Sequence, residues 1–248
     1  MPINSLKIFL AMLMVVTLLS GLSACARPQS RSTATDSITV TAPATQNNHY
    51  WWYCRYTVDW PENAEPDLAV DLLLAHAVVA PVLKLHKLEI PYWRFHRRAA
   101  RDDAGHQFSF IFYTDPYTAA RIMTELNQSA ILQQALTGRI LDRINFDDIR
   151  NPAKPDLEDA SDPGWSIEIQ RNWPAYIMGA SATWLGLIDD VMHYLPATTD
   201  IHELIGQYRQ AQLKITALWS TEGQHALLHH LSAIFGYEPL FIQQEIQF

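Results

Sequence analysis

The sequence predicts an α+β domain in which a small, mostly antiparallel sheet packs against helices. Two observations lead to this prediction. First, several segments have an apolar residue at every second position, which is typical of strands. Second, the segments between them have helix-start signals and helical composition. Their order is strand, helix, hairpin and helix pair. This is a ferredoxin-like strand–helix–hairpin start, followed by a largely helical second half and a C-terminal strand.

Residues 50–60 predict the first strand. The apolar even positions are Tyr50, Trp52, Cys54, Tyr56, Val58 and Trp60, whereas the odd positions end in Arg55, Thr57 and Asp59. Because Cys54 lies on the apolar face, we expect a buried rather than a reactive thiol. Trp51 and Tyr53 point the other way, so the strand is either buried between two layers or exposes an aromatic face.

A helix is predicted next, over residues 67–88, and Pro81 should kink or split it. Two alternating segments, residues 92–99 and 106–114, flank an Asp/Gly-containing turn at 101–105 and predict a hairpin. The later elements follow from caps, prolines and periodicity: helices from Asp115-Pro116 to about Leu126 and from Ser129 to about Leu136, a loop over 151–165, a helix that Pro174 opens and that runs to about Leu195, helices near 200–219 and 223–235, and a strand over 239–248.

The first 25 residues have the features of a secretory leader. Lys7 precedes an uncharged segment, residues 8–22, which is too short for a comfortable membrane span but suits a signal-peptide core. The core closes with Leu22-Ser23-Ala24-Cys25, which resembles the lipobox of bacterial lipoproteins. The resemblance implies that residues 1–24 are removed and that Cys25 is acylated, with palmitate among the acyl chains. The alternative is an uncleaved anchor in which Cys25 is incidental.

The resemblance also implies a location. Ala26 rather than Asp follows the cysteine, which in such lipoproteins favours the outer membrane, facing the periplasm. Residues 25–48 are predicted to be a flexible tether, because their Ser, Thr, Ala, Pro, Gln and Asn cannot bury enough apolar surface to fold. Residues 49–248 form the predicted single periplasmic domain, joined to the membrane through the lipid on Cys25.

Composition, charge and the absence of known motifs disfavour several classes of function. The formal net charge of −8 disfavours nucleic acid as a partner. With Cys25 acylated, Cys54 is the one thiol left, so no internal disulfide is expected. A nucleophile elbow, a phosphate-binding glycine loop and a dinucleotide fingerprint are absent from the sequence, and no cofactor is predicted.

Three segments of the domain resemble the one shared by lantibiotic dehydratase C-termini and thiopeptide-type biosynthesis proteins. They are V-V-A-P-V-L-K-L (78–85), W-R-F-H-R-R (93–98) and H-Q-F-S-F-I-F (106–112). In this resemblance Arg97 and His106 match an arginine and a histidine of that family. Phe108 and Phe110 replace two active-site arginines, so the resemblance implies a related fold over about half of the domain and no activity.

Histidines suggest one candidate metal site. His225 and His229 are four residues apart on a predicted helix and therefore share a face. Asp189 and His193 have the same spacing on the preceding helix, so the four side chains are candidate ligands for zinc or copper. The alternative is that these are ordinary surface histidines, since H-E-x-x-H and clustered Cys/His spacings are absent.

The hairpin carries a candidate site for an anionic ligand. His96, Arg97 and His106 are its predicted contacts, with Arg98 and Arg101 nearby, because arginine presents a planar fork to carboxylates and phosphates. We favour the alternative, a solvated edge paired with Asp102, Asp103 or Glu65. In that case Arg97→Ala should change stability by under about 1 kcal/mol. Asp147, Asp148 and the acidic loop at 156–162 are interpreted as solvated carboxylates.

An aromatic surplus of eight Trp, ten Tyr and nine Phe favours a binding surface over an active site. The sequence therefore predicts a non-enzymatic lipoprotein that binds or assembles with a partner protein or a small ligand. A metal-dependent or hydrolytic periplasmic enzyme stays open as the alternative.

Overall fold

The computed structural model describes residues 48–237. The strands are β1 (Tyr50–Val58), β2 (Tyr92–Ala99), β3 (His106–Thr114) and β4 (Leu141–Phe146). The helices are α1 (Ala69–Leu73), a first π segment (Leu74–Val79), α2 (Ala80–Leu85), α3 (Pro116–Asn127), α4 (Ala130–Thr137), a 3-10 turn (Leu157–Ala160), α5 (Ile167–Met192), α6 (Ile201–Leu218), a second π segment (Trp219–His229) and α7 (His230–Ile234).

The four strands form one antiparallel sheet in the order β2-β3-β1-β4. Helices follow β1 and β3, so the connectivity from β1 to β4 is βαββαβ, the ferredoxin-like arrangement. The predicted α+β class and the ferredoxin-like start are therefore confirmed. The predicted C-terminal strand over 239–248 lies outside the described residues.

Strand β4 was missing from the sequence prediction. Phe146 and Ile144 pair with Cys54 and Tyr56, but Leu141 pairs with Val58 because the register shifts between Thr57 and Val58. This irregularity places Leu141 and Ile144 three residues apart on the core face, which breaks the two-residue period that would have indicated a strand.

The hairpin has the predicted bounds, and its turn explains why. The Asp102 carboxylate accepts hydrogen bonds from the backbone N–H groups of Ala104 and Gly105. Gly105 has a φ of 62°, a left-handed conformation that glycine adopts without steric cost.

The main core lies between the sheet and the helices. Trp52, Cys54 and Tyr56 of β1 are 1% exposed or less, as are Phe108 and Phe110 of β3. The expected burial of Cys54 is thus confirmed. Burial raises the pKa of the Cys54 thiol, with a smaller contribution from the Asp147 carboxylate, so the thiol stays protonated and inert near neutral pH.

The other face of the sheet is also covered. Residues 154–160 contact it. Trp51 donates through Nε1 to the Leu157 carbonyl and through its backbone N–H to the Lys154 carbonyl, and it packs with Ala160. Tyr113 donates through its hydroxyl to the Pro155 carbonyl. Since Trp51 is only 2% exposed, β1 is buried between two layers at this point rather than open to solvent.

Pro81 and Pro174, the two prolines predicted to affect helices, differ in their positions within those helices. Pro81 lies in the first turn of α2, directly after the first π segment, so the helix changes type where a split was predicted. Pro174 was predicted to open a helix, and this was wrong, because α5 begins at Ile167 and contains Pro174 in its interior. The early turns of α5 pack against the 3-10 turn, where Arg171 pairs with Glu158, and this contact holds the helix N-terminal to the proline.

The second half is helical, as predicted. Helix α5 packs along β2, and α6 packs against α1. The two helices predicted near 200–219 and 223–235 form one continuous helical run from α6 through the second π segment to α7. No residue of the second π segment or of α7 is buried. Within residues 48–237, no helix is long and apolar enough to cross a membrane.

Candidate functional site

A groove of about 900 Å³ lies between α5 and the helical run of α6, the second π segment and α7. Its volume is within the range of small-molecule sites in proteins. Helix α5 forms one wall, with the small residues Ala175, Gly179, Ala180 and Thr183 between the larger Tyr176, Trp184 and Leu187. The other wall is mostly apolar: Ile215, Leu218, Trp219, Ala226, Leu227, Leu228 and Leu231. We call this cavity the interhelical groove.

Glycine keeps the α5 wall open. A Cβ atom added at Gly179 would meet no atom within 4 Å, so a larger side chain there would project into free space. Opposite it, the wall from Trp219 onward contains no buried residue, so its apolar side chains are available to the groove. An apolar surface of this kind, left uncovered between two helices, is typical of a binding site.

Among residues 48–237, Arg97 of β2 is the one strand residue that lines the interhelical groove. Its Nε donates to Asp71 Oδ2 over 2.8 Å, and its Nη2 donates to the Leu68 carbonyl over 3.3 Å. The guanidinium also stacks on the ring of Trp184, with Cζ 4.8 Å from the centroid. Arg97 is therefore held on three sides and keeps 29% of its side chain exposed.

Behind Arg97 is a buried carboxylate. Asp71 of α1 is fully buried, and its Oδ1 accepts a hydrogen bond of 2.9 Å from His106 Nε2, which is buried as well. Asp71 thus pairs with two cationic or hydrogen-bonding side chains at once. The His106 Nδ1 atom is buried without a partner among the described residues.

The interpretation of the hairpin as a solvated edge is wrong for Arg97 and His106. Alternation along β2 and β3 puts both on the core face, beside Phe95 and Phe108, where Asp71 meets them. The interpretation holds for Arg98, which pairs with Asp102 as predicted.

The predicted anion site does not assemble from all three of its residues. His96 alternates with Arg97 and therefore faces away from Asp71 and the groove. Desolvation and the positive charges of Arg94 and Arg98 lower the pKa of His96, which further weakens it as a cation.

A second, polar cleft of about 640 Å³ is lined by residues of the hairpin turn and by the end of β1. Arg101 dominates one side, where it stacks on Trp60 at 3.5 Å and donates to the carbonyls of Trp60, Pro61 and Ala64. These contacts satisfy Arg101 within the fold, so we assign it a structural role.

The four predicted metal ligands are not brought together. His225 and His229 stack on each other, with ring centroids 4.9 Å apart, on the exposed second π segment. Asp189 instead pairs with His76 over 3.1 Å, and His193 contacts Tyr194. Among residues 48–237, no group of three or more His, Cys, Asp or Glu side chains is arranged to hold a metal ion.

Two histidine networks were not foreseen. His76 accepts from the Tyr208 hydroxyl at 2.8 Å and donates to Asp189, which ties the first π segment to α6 and α5. Burial raises the pKa of Tyr208, so its hydroxyl stays protonated as the donor. No local pattern in the sequence indicates that these three side chains, which belong to separate helices, lie together.

The second network joins α2 to α3. Fully buried His86 contacts Glu89 at 2.7 Å and Glu125 at 2.8 Å through its two ring nitrogens. The hydrogen bond from His86, together with Arg121, lowers the pKa of Glu89. None of these residues lines the interhelical groove, and we assign the network a role in stability.

Comparisons with known proteins identify no family for this chain. No protein-family model matches the chain, and no curated protein matches it. The solved structure of an uncharacterized NIPSNAP-like domain protein from Burkholderia xenovorans is similar over 49% of this chain and 98% of that chain, at 16% identity and a TM-score of 0.26. A similarity this low does not bear on function. The resemblances to lipoprotein leaders and to the lantibiotic dehydratase domain therefore stay predictions.

Proposed function

We propose that the protein is an outer-membrane lipoprotein whose periplasmic domain is a non-enzymatic binding module for a small, largely apolar ligand. The observation that carries the proposal is the interhelical groove, which has apolar walls and the volume of a ligand site. The leader supports the location, because Leu22-Ser23-Ala24-Cys25 resembles a lipobox and Ala26 favours the outer membrane. A domain held near a bilayer by a short tether has ready access to membrane-derived apolar molecules.

Filling the groove should weaken ligand binding. Gly179→Leu places a branched side chain in the open space of the α5 wall, so we expect the affinity for the neutral apolar dye 1-N-phenylnaphthylamine to fall by about tenfold or more, equivalent to roughly 1.4 kcal/mol. Dye fluorescence in a titration of the full-length protein in amphipol measures this.

Gly186→Leu is the matched control. Gly186 is on the same helix, is exposed and has no atom within 4 Å of an added Cβ, but it does not line the groove. Both changes raise helix propensity equally, so a difference between them reports on the groove. Equal dye binding by the two variants, or none by the unaltered protein, would refute the proposed site.

Cys25→Ser should abolish acylation and release the protein from the membrane fraction, or stall the precursor, while residues 49–248 still fold. The physical reason is that stable anchoring depends on more than one acyl chain at this cysteine. Mass spectrometry of the N-terminal peptide and membrane fractionation in a diderm host measure the two effects. Cys54→Ala is the control and should stay acylated. A Cys25→Ser protein that remains membrane-bound and uncleaved would favour the uncleaved anchor instead.

A further inference from the structure

The charges that line the interhelical groove are few. Arg97 is its one cation and Glu222 its one anion among the described lining residues. Glu222 is exposed on the second π segment, whereas Arg97 lies on the sheet and is partly buried against Trp184. The buried Asp71 carboxylate offsets the charge of Arg97, so the groove has no net positive charge to attract an anion. Any preference for an anionic ligand therefore depends on hydrogen-bond donors of Arg97 that are still free.

Arg97 has hydrogen-bonding capacity to spare. A guanidinium has five N–H donors, and the bonds to Asp71 and Leu68 use two, so three have no partner among residues 48–237. The two used donors are on Nε and Nη2, which leaves both N–H groups of Nη1 and one of Nη2 free among the described residues. One N–H from each of these two nitrogens can pair with the two oxygens of a carboxylate.

The fold fixes Arg97 in this orientation before any ligand arrives. Asp71 is fully buried and is shared with His106, and the ring of Trp184 lies beneath the guanidinium plane. A preorganised donor loses less side-chain entropy on binding than a free surface arginine does.

Gln212 provides a second polar contact in the groove. Its Nε2 donates to Thr216 Oγ1 over 2.9 Å, and its Oε1 is buried without a partner among the described residues. If the amide turns over, Oε1 accepts from the Thr216 hydroxyl and an N–H occupies the free position. The amide can thus donate to a carboxylate or accept from a hydroxyl without losing its bond to Thr216.

We propose that the ligand of the interhelical groove is a single-chain carboxylic acid, with its carboxylate on Arg97 and its alkyl chain along the apolar walls. This inference rests on the proposed function. The free N–H donors of Arg97 match the two oxygens of a carboxylate, whereas a phosphate carries up to two charges, and Arg97 already shares its own charge with Asp71.

Matched ligands separate this inference from the proposed function. Dodecanoic acid, 1-dodecanol and monododecyl phosphate share one alkyl chain and differ only in the head group. Each is titrated against the dye-loaded, full-length protein in amphipol at neutral pH. We expect the acid to bind about tenfold more tightly than the alcohol, the size expected for a charged hydrogen bond.

Arg97→Gln should remove the preference for the acid over 1-dodecanol. Glu222→Gln, at an exposed position that does not threaten folding, should raise the affinity for the acid by about two- to threefold. Arg209→Gln is the control, because Arg209 is an exposed cation of α6 that pairs with Asp67 and does not line the groove. It should change neither affinity.

The possible results have distinct meanings. If none of the three ligands displaces the dye, the proposed function fails and this inference with it. If acid and alcohol bind equally, the groove stands and the carboxylate assignment is overturned. Tighter binding of the phosphate than of the acid also overturns it. If Arg97→Gln fails to fold, an acid affinity that is unaffected by Glu222→Gln overturns the assignment independently.

Discussion

Replacing Phe110 with alanine is expected to destabilise the domain by about 3–5 kcal/mol, as for large-to-small changes in other cores. Phe110 is in β3, a central strand, and pairs with Cys54 of β1 and Phe95 of β2. It has no exposed surface, and its ring stacks on Phe112 at a centroid distance of 4.8 Å. Removing the ring leaves a cavity between the sheet and the helices that rigid neighbours cannot fill.

Urea unfolding of the variant and of the unaltered protein measures this difference. Since small domains are typically stable by about 5–15 kcal/mol, a loss of this size is a large fraction of the total. Phe235→Ala is the control, because that ring is 69% exposed and its removal should change stability by no more than about 0.5 kcal/mol. A Phe110→Ala protein as stable as the control would contradict the packing of this face.

Replacing Asp71 with alanine should cost about 3–5 kcal/mol, because it leaves buried polar partners without their carboxylate. His106 is fully buried and Arg97 is 29% exposed, and both donate to Asp71. His106 cannot exchange the lost acceptor for bulk water without opening the fold between α1 and the hairpin. The same change should also loosen Arg97 in the interhelical groove.

Asp189→Ala is the control for Asp71→Ala, because both aspartates pair with a histidine but only Asp71 is buried. Asp189 also contacts a histidine, His76, but its side chain is 79% exposed, so its loss should cost under about 1 kcal/mol. Urea melts of both variants at neutral pH provide the comparison. Similar losses for the two aspartates would mean that the buried network is not held by Asp71.

Regular local patterns made parts of the fold predictable. Strands β1, β2 and β3 were placed because their apolar residues alternate, and the burial of Cys54 followed from the same alternation. The start of α3 was placed because Asp115 caps it, accepting from the N–H groups of Tyr117 and Thr118. Ser129 caps α4 in the same way.

Long-range contacts decided what the sequence alone misjudged. Arg97 and His106 were interpreted as a solvated edge, yet they meet Asp71, which is 26 and 35 residues away in the chain and on another element. Pro174 was taken to open a helix, but packing of the preceding turns on the 3-10 turn extends α5 past it. Strand β4 was not predicted, because its register shift breaks the two-residue alternation of apolar side chains.

The sequence by itself determined the α+β class and the first three strands, because these depend on periodicity and caps, and it predicts a lipoprotein leader from a short motif. Only the tertiary structure decided that Arg97 is anchored by a buried aspartate and that α5 stands apart from the second π segment. The reason is physical. A groove is the space between two elements, and its shape depends on how their side chains pack against the rest of the domain, which no local pattern encodes.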